Sequence, residues 1–152
     1  MFLKKIAAFF MVVVTCAALA GCGEAKDITV DIEALASELK NDITYQDQLE
    51  QIEPDMVKML YDVEEYSANS IVYMGSGATA EEIAVFECKD ADASKKVEEI
   101  VKQHVQDQIT SFESYVPAEV AKLKEAVVRC GGKYVALCVS DDSAAANKII
   151  DK

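Results

Sequence analysis

Residues 126–139 read Ala126-Val127-Val128-Arg129-Cys130-Gly131-Gly132-Lys133-Tyr134-Val135-Ala136-Leu137-Cys138-Val139, two largely apolar runs on either side of a glycine pair. Valine and tyrosine suit a pleated, half-buried surface, and Gly-Gly supplies the positive φ that a two-residue primed turn requires. The stretch predicts a β-hairpin with Gly131 and Gly132 at its tip. Upstream, Ile71-Val72-Tyr73-Met74 and Ile83-Ala84-Val85-Phe86-Glu87-Cys88, joined through Gly75-Ser76-Gly77, predict a second antiparallel pair. Between the two pairs, Asp90 to Ser94 offers N-cap residues. Val97, Ile100, Val101, His104, Val105, Gln108, Phe112 and Tyr115 then trace one stripe of a long helix, which Val116-Pro117 closes.

The flanking segments are shorter. Asp27 to Val30 reads as a strand, and Ile32, Leu35, Ala36 and Leu39 recur at helical spacing up to about Asn41. The polar stretch Asp42 to Glu53 precedes Pro54-Asp55, which opens a short helix carrying Met56, Met59 and Leu60. Ala118 to Glu125 suggests another helical piece. Ser140, Asp141 and Asp142 cap a terminal helix with Ala145, Ile149 and Ile150 facing inward. Strands and helices without regular βαβ alternation predict an α+β fold. It would hold an antiparallel sheet of about four strands, as two hairpins, packed against the long amphipathic helix, with further helices at both ends.

The amino terminus carries an address. Lys4 and Lys5 precede the uncharged run Ile6 to Ala18, which is shorter than the roughly 20 apolar residues a spanning helix needs and reads as an export signal. Leu19-Ala20-Gly21-Cys22 then resembles the lipobox of bacterial lipoproteins. That resemblance implies cleavage between Gly21 and Cys22 and a diacylglycerol thioether on the Cys22 thiol. The expected organisation is a signal peptide at 1–21, lipidated Cys22 and a short tether at 22–26, and one α+β domain at 27–152. Each buried methylene contributes about 0.8 kcal/mol, so two acyl chains give lasting attachment where one does not. The expected location is the extracytoplasmic face of the cell membrane, with Cys22 an anchor and not a catalytic thiol. Cys16, inside the apolar run, reads as a small apolar residue.

Cleavage leaves 131 of the 152 residues, enough for a core that buries roughly two thirds of the unfolded surface without disulfides or metal. With Lys4 and Lys5 removed, 13 basic face 27 acidic side chains, a net charge of −14. Such a surface repels nucleic-acid phosphate and anionic headgroups, so neither is an expected partner. Cations or basic partners are attracted by it.

No constellation of residues announces chemistry, and neither a catalytic residue nor a cofactor is expected. Zinc needs several Cys or His ligands at short spacing, which Cys88, Cys130 and Cys138 around the single histidine, His104, do not provide. Asp62, Glu64 and Glu65 lack the glycine and spacing of a calcium loop, so no metal site is expected. Gly75-Ser76-Gly77 lacks the further residues of a dinucleotide or phosphate loop, and no Gly-x-Ser-x-Gly elbow occurs. Three cysteines leave at least one unpaired. Cys88 and Cys138 would bridge if their strand faces met; otherwise they are buried apolar thiols. Tyr61, Tyr66, Tyr73, Tyr115 and Tyr134 offer either a binding face or half-buried packing.

From Glu82 onward the chain shows Glu82-Ile83-Ala84-Val85-Phe86, an Asp90-led helix, Phe112-x-x-Tyr115-x-Pro117-x-Glu119, Tyr134-Val135-Ala136-Leu137 and Ser140-Asp141-Asp142. This pattern resembles a family of small lipoproteins of unknown function, common in anaerobic Firmicutes. The resemblance implies address and fold and brings no assigned catalytic residue. The family is also associated with genes for membrane-bound O-acyltransferases that decorate exported polysaccharide. The expected role is a non-enzymatic binding or accessory module at the cell surface, with a protein or glycan partner. The alternative is a small extracytoplasmic enzyme, or an accessory factor in cell-surface polysaccharide acylation. A cleft holding His104 near a cysteine or carboxylate favours the alternative, and a histidine packed in the core counts against it.

Overall fold

The computed structural model describes residues 28–152. The signal, cleavage and tether assignments at residues 1–26, Gly21 and Cys22 included, lie outside the described residues, as does Asp27. In chain order the elements are α1 (Ile32–Asp42), β1 (Glu50–Gln51), α2 (Pro54–Tyr61), β2 (Ser67–Met74), β3 (Glu82–Cys88) and α3 (Ala91–Tyr115). A 3-10 turn (Pro117–Glu119) leads into α4 (Val120–Lys124), followed by β4 (Val127–Gly131), β5 (Tyr134–Val139) and α5 (Ser143–Ile150). The strands form one antiparallel sheet of order β1-β2-β3-β5-β4. The fold is α+β, as the patterning predicts.

Side chains alternate across a strand, so β3 and β5 feed two cores at once. Ala84, Phe86 and Cys88 of β3, with Val135, Leu137 and Val139 of β5, meet Val57, Val97, Val101 and Leu123 from α2, α3 and α4. Ile83, Val85 and Cys138 point the other way, onto Ile32, Ala36 and Leu39 of α1 and Ala146 and Ile149 of α5. The result is three layers, helices on both faces of the sheet. That explains why β3 and β5 read as near-continuous apolar runs, the signature of strands buried on both sides.

The helix ends follow their capping residues. Asp90 accepts from the backbone N–H groups of Asp92 and Ala93 at 3.0 and 2.8 Å, Asp31 from that of Ala34 at 3.0 Å, and Asp142 from that of Ala145 at 2.8 Å. Each satisfies donors that the first turn leaves without partners. The start of α3 is also tied to the β4–β5 hairpin, where the Ser94 hydroxyl donates to the Gly132 carbonyl at 2.8 Å.

Three expectations need correction. The sheet has five strands, because the polar segment before α2 contributes β1, paired with Tyr73 and Met74 at the edge of β2. Residues 28–31 form no strand; Ile28 instead lies against the β4–β5 turn, 3.6 Å from where a side chain on Gly132 would begin. The two-residue turn is Gly132-Lys133 rather than Gly131-Gly132, since Gly131 pairs with Tyr134. Only the first central residue has positive φ, +55° at Gly132, which is the φ pattern of a type II′ turn.

The Cys88–Cys138 bridge is also overturned. The two residues lie on opposite faces of the sheet, in different cores, and Cys88, Cys130 and Cys138 are all free. A disulfide needs Cβ atoms about 4 Å apart and pointing at one another, which a sheet between them prevents. Counting thiols in the denatured, unreduced domain is expected to return three from these positions. A count of one would mean a bridge had formed.

Candidate functional site

Sequence periodicity places three polar side chains on otherwise apolar faces. Glu82 opens β3 in phase with Ala84 and Phe86, so its carboxylate enters the core under α3. His104 sits on the buried stripe of α3, and Tyr61 ends α2 on its buried side. They meet. The Tyr61 hydroxyl donates to Glu82 Oε1, and His104 Nε2 lies 2.9 Å from Glu82 Oε2. The imidazole lies against the Tyr61 ring, centroids 4.4 Å apart, and that ring meets Phe86 edge-on at 5.1 Å.

Only 2 % of Glu82, 1 % of Tyr61 and 9 % of His104 is exposed. A buried carboxylate requires donors, and here both of its oxygens have one. Burial first, and then the Glu82 charge, push the Tyr61 phenol well above its ordinary value, so it remains a donor. In the Glu82–His104 contact the donor is set by the imidazole tautomer. The other ring nitrogen, Nδ1, forms no hydrogen bond with a described residue.

His104 lines a cleft of about 400 Å³ between the end of α2 and the middle of α3. Leu60, Tyr61, Tyr66 and Ile100 supply its apolar walls, Asp62, Glu65, Gln103 and Asp107 complete the lining, and the Lys89 ammonium donates to the Glu65 carbonyl beside it. The Gln103 amide is turned to Asp107 Oδ1 at 2.8 Å. No Lys or Arg lines the cleft, and neither Asp62, Glu65 nor Asp107 is in a salt bridge among the described residues. Asp62 takes the left-handed conformation, φ +49°, as it caps α2; aspartate tolerates that region better than most residues.

A second polar cluster lies at the other end of Glu82's neighbourhood. Glu81, 1 % exposed, accepts from the backbone N–H groups of Gln46 and Asp47, both at 2.9 Å, from the Thr79 hydroxyl at 3.2 Å and from Lys122 Nζ at 3.1 Å. Lys122 also reaches Glu119 Oε2 at 3.1 Å and Asp141 Oδ2 at 3.6 Å, and Glu119 accepts from the Ala80 N–H at 2.8 Å. Burial lowers the Lys122 ammonium, but its carboxylate partners Glu119 and Glu81 outweigh that, and its pKa ends above the ordinary value. Every group has a partner, so the cluster ties together the segments around residues 46, 80 and 122 and presents nothing to a ligand.

Of the tyrosines, Tyr61 and Tyr134 are buried, Tyr66 and Tyr73 half-buried, and Tyr115 exposed; they form no common face. Asp62 and Glu65 reach the cleft, whereas Glu64 pairs with Lys58 at 2.9 Å. Among the described residues no group of three His, Cys, Asp or Glu is placed to hold a metal ion, and no helix is long and apolar enough to cross a membrane. Glu82 was the residue that sequence reading missed. Its signal was available, a carboxylate in phase with the buried side of a strand, opposite a helix carrying a histidine on its own buried stripe.

A family model described as a domain of unknown function, DUF4358, matches residues 41–140, which span β1 to β5, the Tyr61–Glu82–His104 cluster and all of the Lys122 cluster but Asp141. No curated protein and no solved structure matches the chain.

Proposed function

The chain belongs to the DUF4358 family, and from that premise we propose that it is a lipid-anchored extracytoplasmic lipoprotein whose domain is a non-enzymatic binding module, with the cleft between α2 and α3 as its ligand site. The address rests on Leu19-Ala20-Gly21-Cys22 after the uncharged run Ile6 to Ala18. The observation that carries the binding role is the cleft itself. It pairs apolar walls with a few placed polar groups, the make-up of small-ligand sites, yet no Ser, Thr or Cys that could act as a nucleophile lines it.

Replacing Cys22 with alanine tests the address. The variant is expected to remain uncleaved, to take up no labelled fatty acid and to lose lasting attachment to the membrane fraction. Fatty-acid labelling that persists without Cys22 would sink the anchor assignment.

One observation favours the other reading, a small extracytoplasmic enzyme or accessory to polysaccharide acylation. An imidazole held by a buried carboxylate in the wall of a cleft has the makings of a general base. Turnover of acyl esters by the whole chain, lost in His104→Ala, would establish that reading over the non-enzymatic one.

A further inference from the structure

We infer that the β4 edge of the sheet takes an extended polypeptide segment as a sixth strand, one that carries carboxylates among alternating apolar side chains. This surface lies apart from the α2/α3 cleft and does not depend on that cleft binding anything. The sheet ends at β4, which has β5 on one side and no described strand on the other. Gly131 and Tyr134 close the two-residue turn as a hydrogen-bonded pair, and such pairs alternate along an antiparallel ladder. Val128 and Cys130 therefore turn their N–H and C=O groups outward. The Val128 carbonyl bears this out, since it accepts from the guanidinium of its neighbour Arg129 at 3.1 Å. Apart from that contact, no hydrogen bond from a loop, helix or side chain among the described residues reaches these outward groups. The opposite edge, β1, is only two residues long and offers no such row.

A groove lies where the new strand would run. It measures about 440 Å³ between α3, α4 and the β4 edge, with Val105, Ile109, Leu123 and Val128 in its walls. Side chains of an added strand alternate between the two faces of a sheet. Every second one would enter the groove while the backbone bonds to β4, the division of labour in strand addition.

Charge selects the occupant. Lys102, Lys124 and Arg129 also line the groove, and no carboxylate does, on a chain of 27 acidic and 15 basic side chains. Lys102 meets Glu98 at 2.6 Å and Arg129 meets Asp151 at 3.1 Å, whereas Lys124 is in no salt bridge among the described residues. Basic side chains beside an open edge discourage pairing with a second copy, because β4 against β4 would bring both sets of cations together. The same charges favour a strand that supplies carboxylates.

The test uses the whole chain in detergent, amide-labelled for NMR. It is titrated with a capped heptapeptide of alternating glutamate and valine, with its lysine–valine counterpart, and with a peptide of the same glutamate and valine content in two blocks. The alternating acidic peptide is expected to shift the Val128 and Cys130 amide resonances saturably and to slow exchange of both protons, while neither control does so. N-methylating its valines in one version and its glutamates in another is expected to abolish binding in one version alone, since a strand turns a single row of N–H groups to its neighbour. Lys102→Gln with Lys124→Gln is expected to weaken binding about tenfold, with circular dichroism confirming that the variant is folded.

An acidic peptide that leaves both amides unmoved, responds equally to either methylation, or binds no better than its lysine counterpart overturns the inference. Self-association that protects Val128 and Cys130 without any peptide would give the edge to a second copy instead. None of these results bears on the α2/α3 cleft.

Discussion

Lys122→Met is expected to lower the unfolding free energy by about 3–5 kcal/mol, the range for breaking a buried ion pair from one side. Lys122 is 5 % exposed and is the only cation in reach of Glu81 and Glu119 among the described residues. Without it two carboxylates remain in the interior, and Glu81 cannot turn to water without releasing the Gln46 and Asp47 N–H groups. Methionine matches the stem in volume, so the loss reports the charge rather than a cavity. Against a typical total of 5–15 kcal/mol the effect is large. Urea unfolding followed by circular dichroism measures it, with exposed Lys124→Met as the control expected to change stability by less than about 0.5 kcal/mol. Adding Glu81→Gln to Lys122→Met should restore part of the loss. A single-variant cost under about 1 kcal/mol would mean the cluster is open to water.

The second large effect is alkaline unfolding. Burial, first among its causes, raises the Tyr61 phenol well above its ordinary value of 10.0, does the same to Tyr45 beside Cys138, and lifts the Cys88 thiol from 9.0 to about 11. Burial also raises Cys138. In each case the folded state holds a proton that the unfolded chain gives up. The stabilisation is whole below the unfolded value and is lost as pH rises above it, at about 1.4 kcal/mol per unit for each group. By pH 11 the Tyr61 phenol alone withdraws about 1.4 kcal/mol, and the other buried groups add to that loss. Lys122, also raised, acts in the same direction at higher pH.

Cooperative unfolding is therefore expected between about pH 11 and 12, and Tyr45 and Tyr61 should ionise only within it. Parallel titration of tyrosinate absorbance and far-ultraviolet circular dichroism tests this. If all six phenols ionised in one smooth step with the helical signal intact, the burial of Tyr61 would be disproved.

Those two effects mark where sequence reading stops. Local pattern made the hairpin around residue 132 and the helix from Ala91 to Tyr115 legible: two largely apolar runs about a glycine pair, and a stripe at helical spacing bounded by Asp90 and Pro117. Strand β1 has no such pattern. Glu50 and Gln51 are both exposed, and they become a strand only because β2 offers an edge, with the Ile52 N–H reaching the Val72 carbonyl at 3.0 Å. The polar clusters were hidden for another reason. Glu81 meets Gln46 and Lys122 across 35 and 41 residues of chain, and no local pattern encodes a partner at that distance. His104 was recognisable as an oddity on its stripe, but what it faces depended on the phase of a strand 22 residues away. The turn was misplaced by one residue because either neighbouring glycine could supply the positive φ, and strand pairing made the choice.

The bond from Ser94 to Gly132 fixes the foot of α3 beside the hairpin tip where Ile28 leads the chain in. His104 stands ten residues along the helix from Ser94, roughly 15 Å at 1.5 Å per residue. The helix then works as a ruler, holding the hairpin tip and the α2/α3 cleft at a fixed separation across the domain.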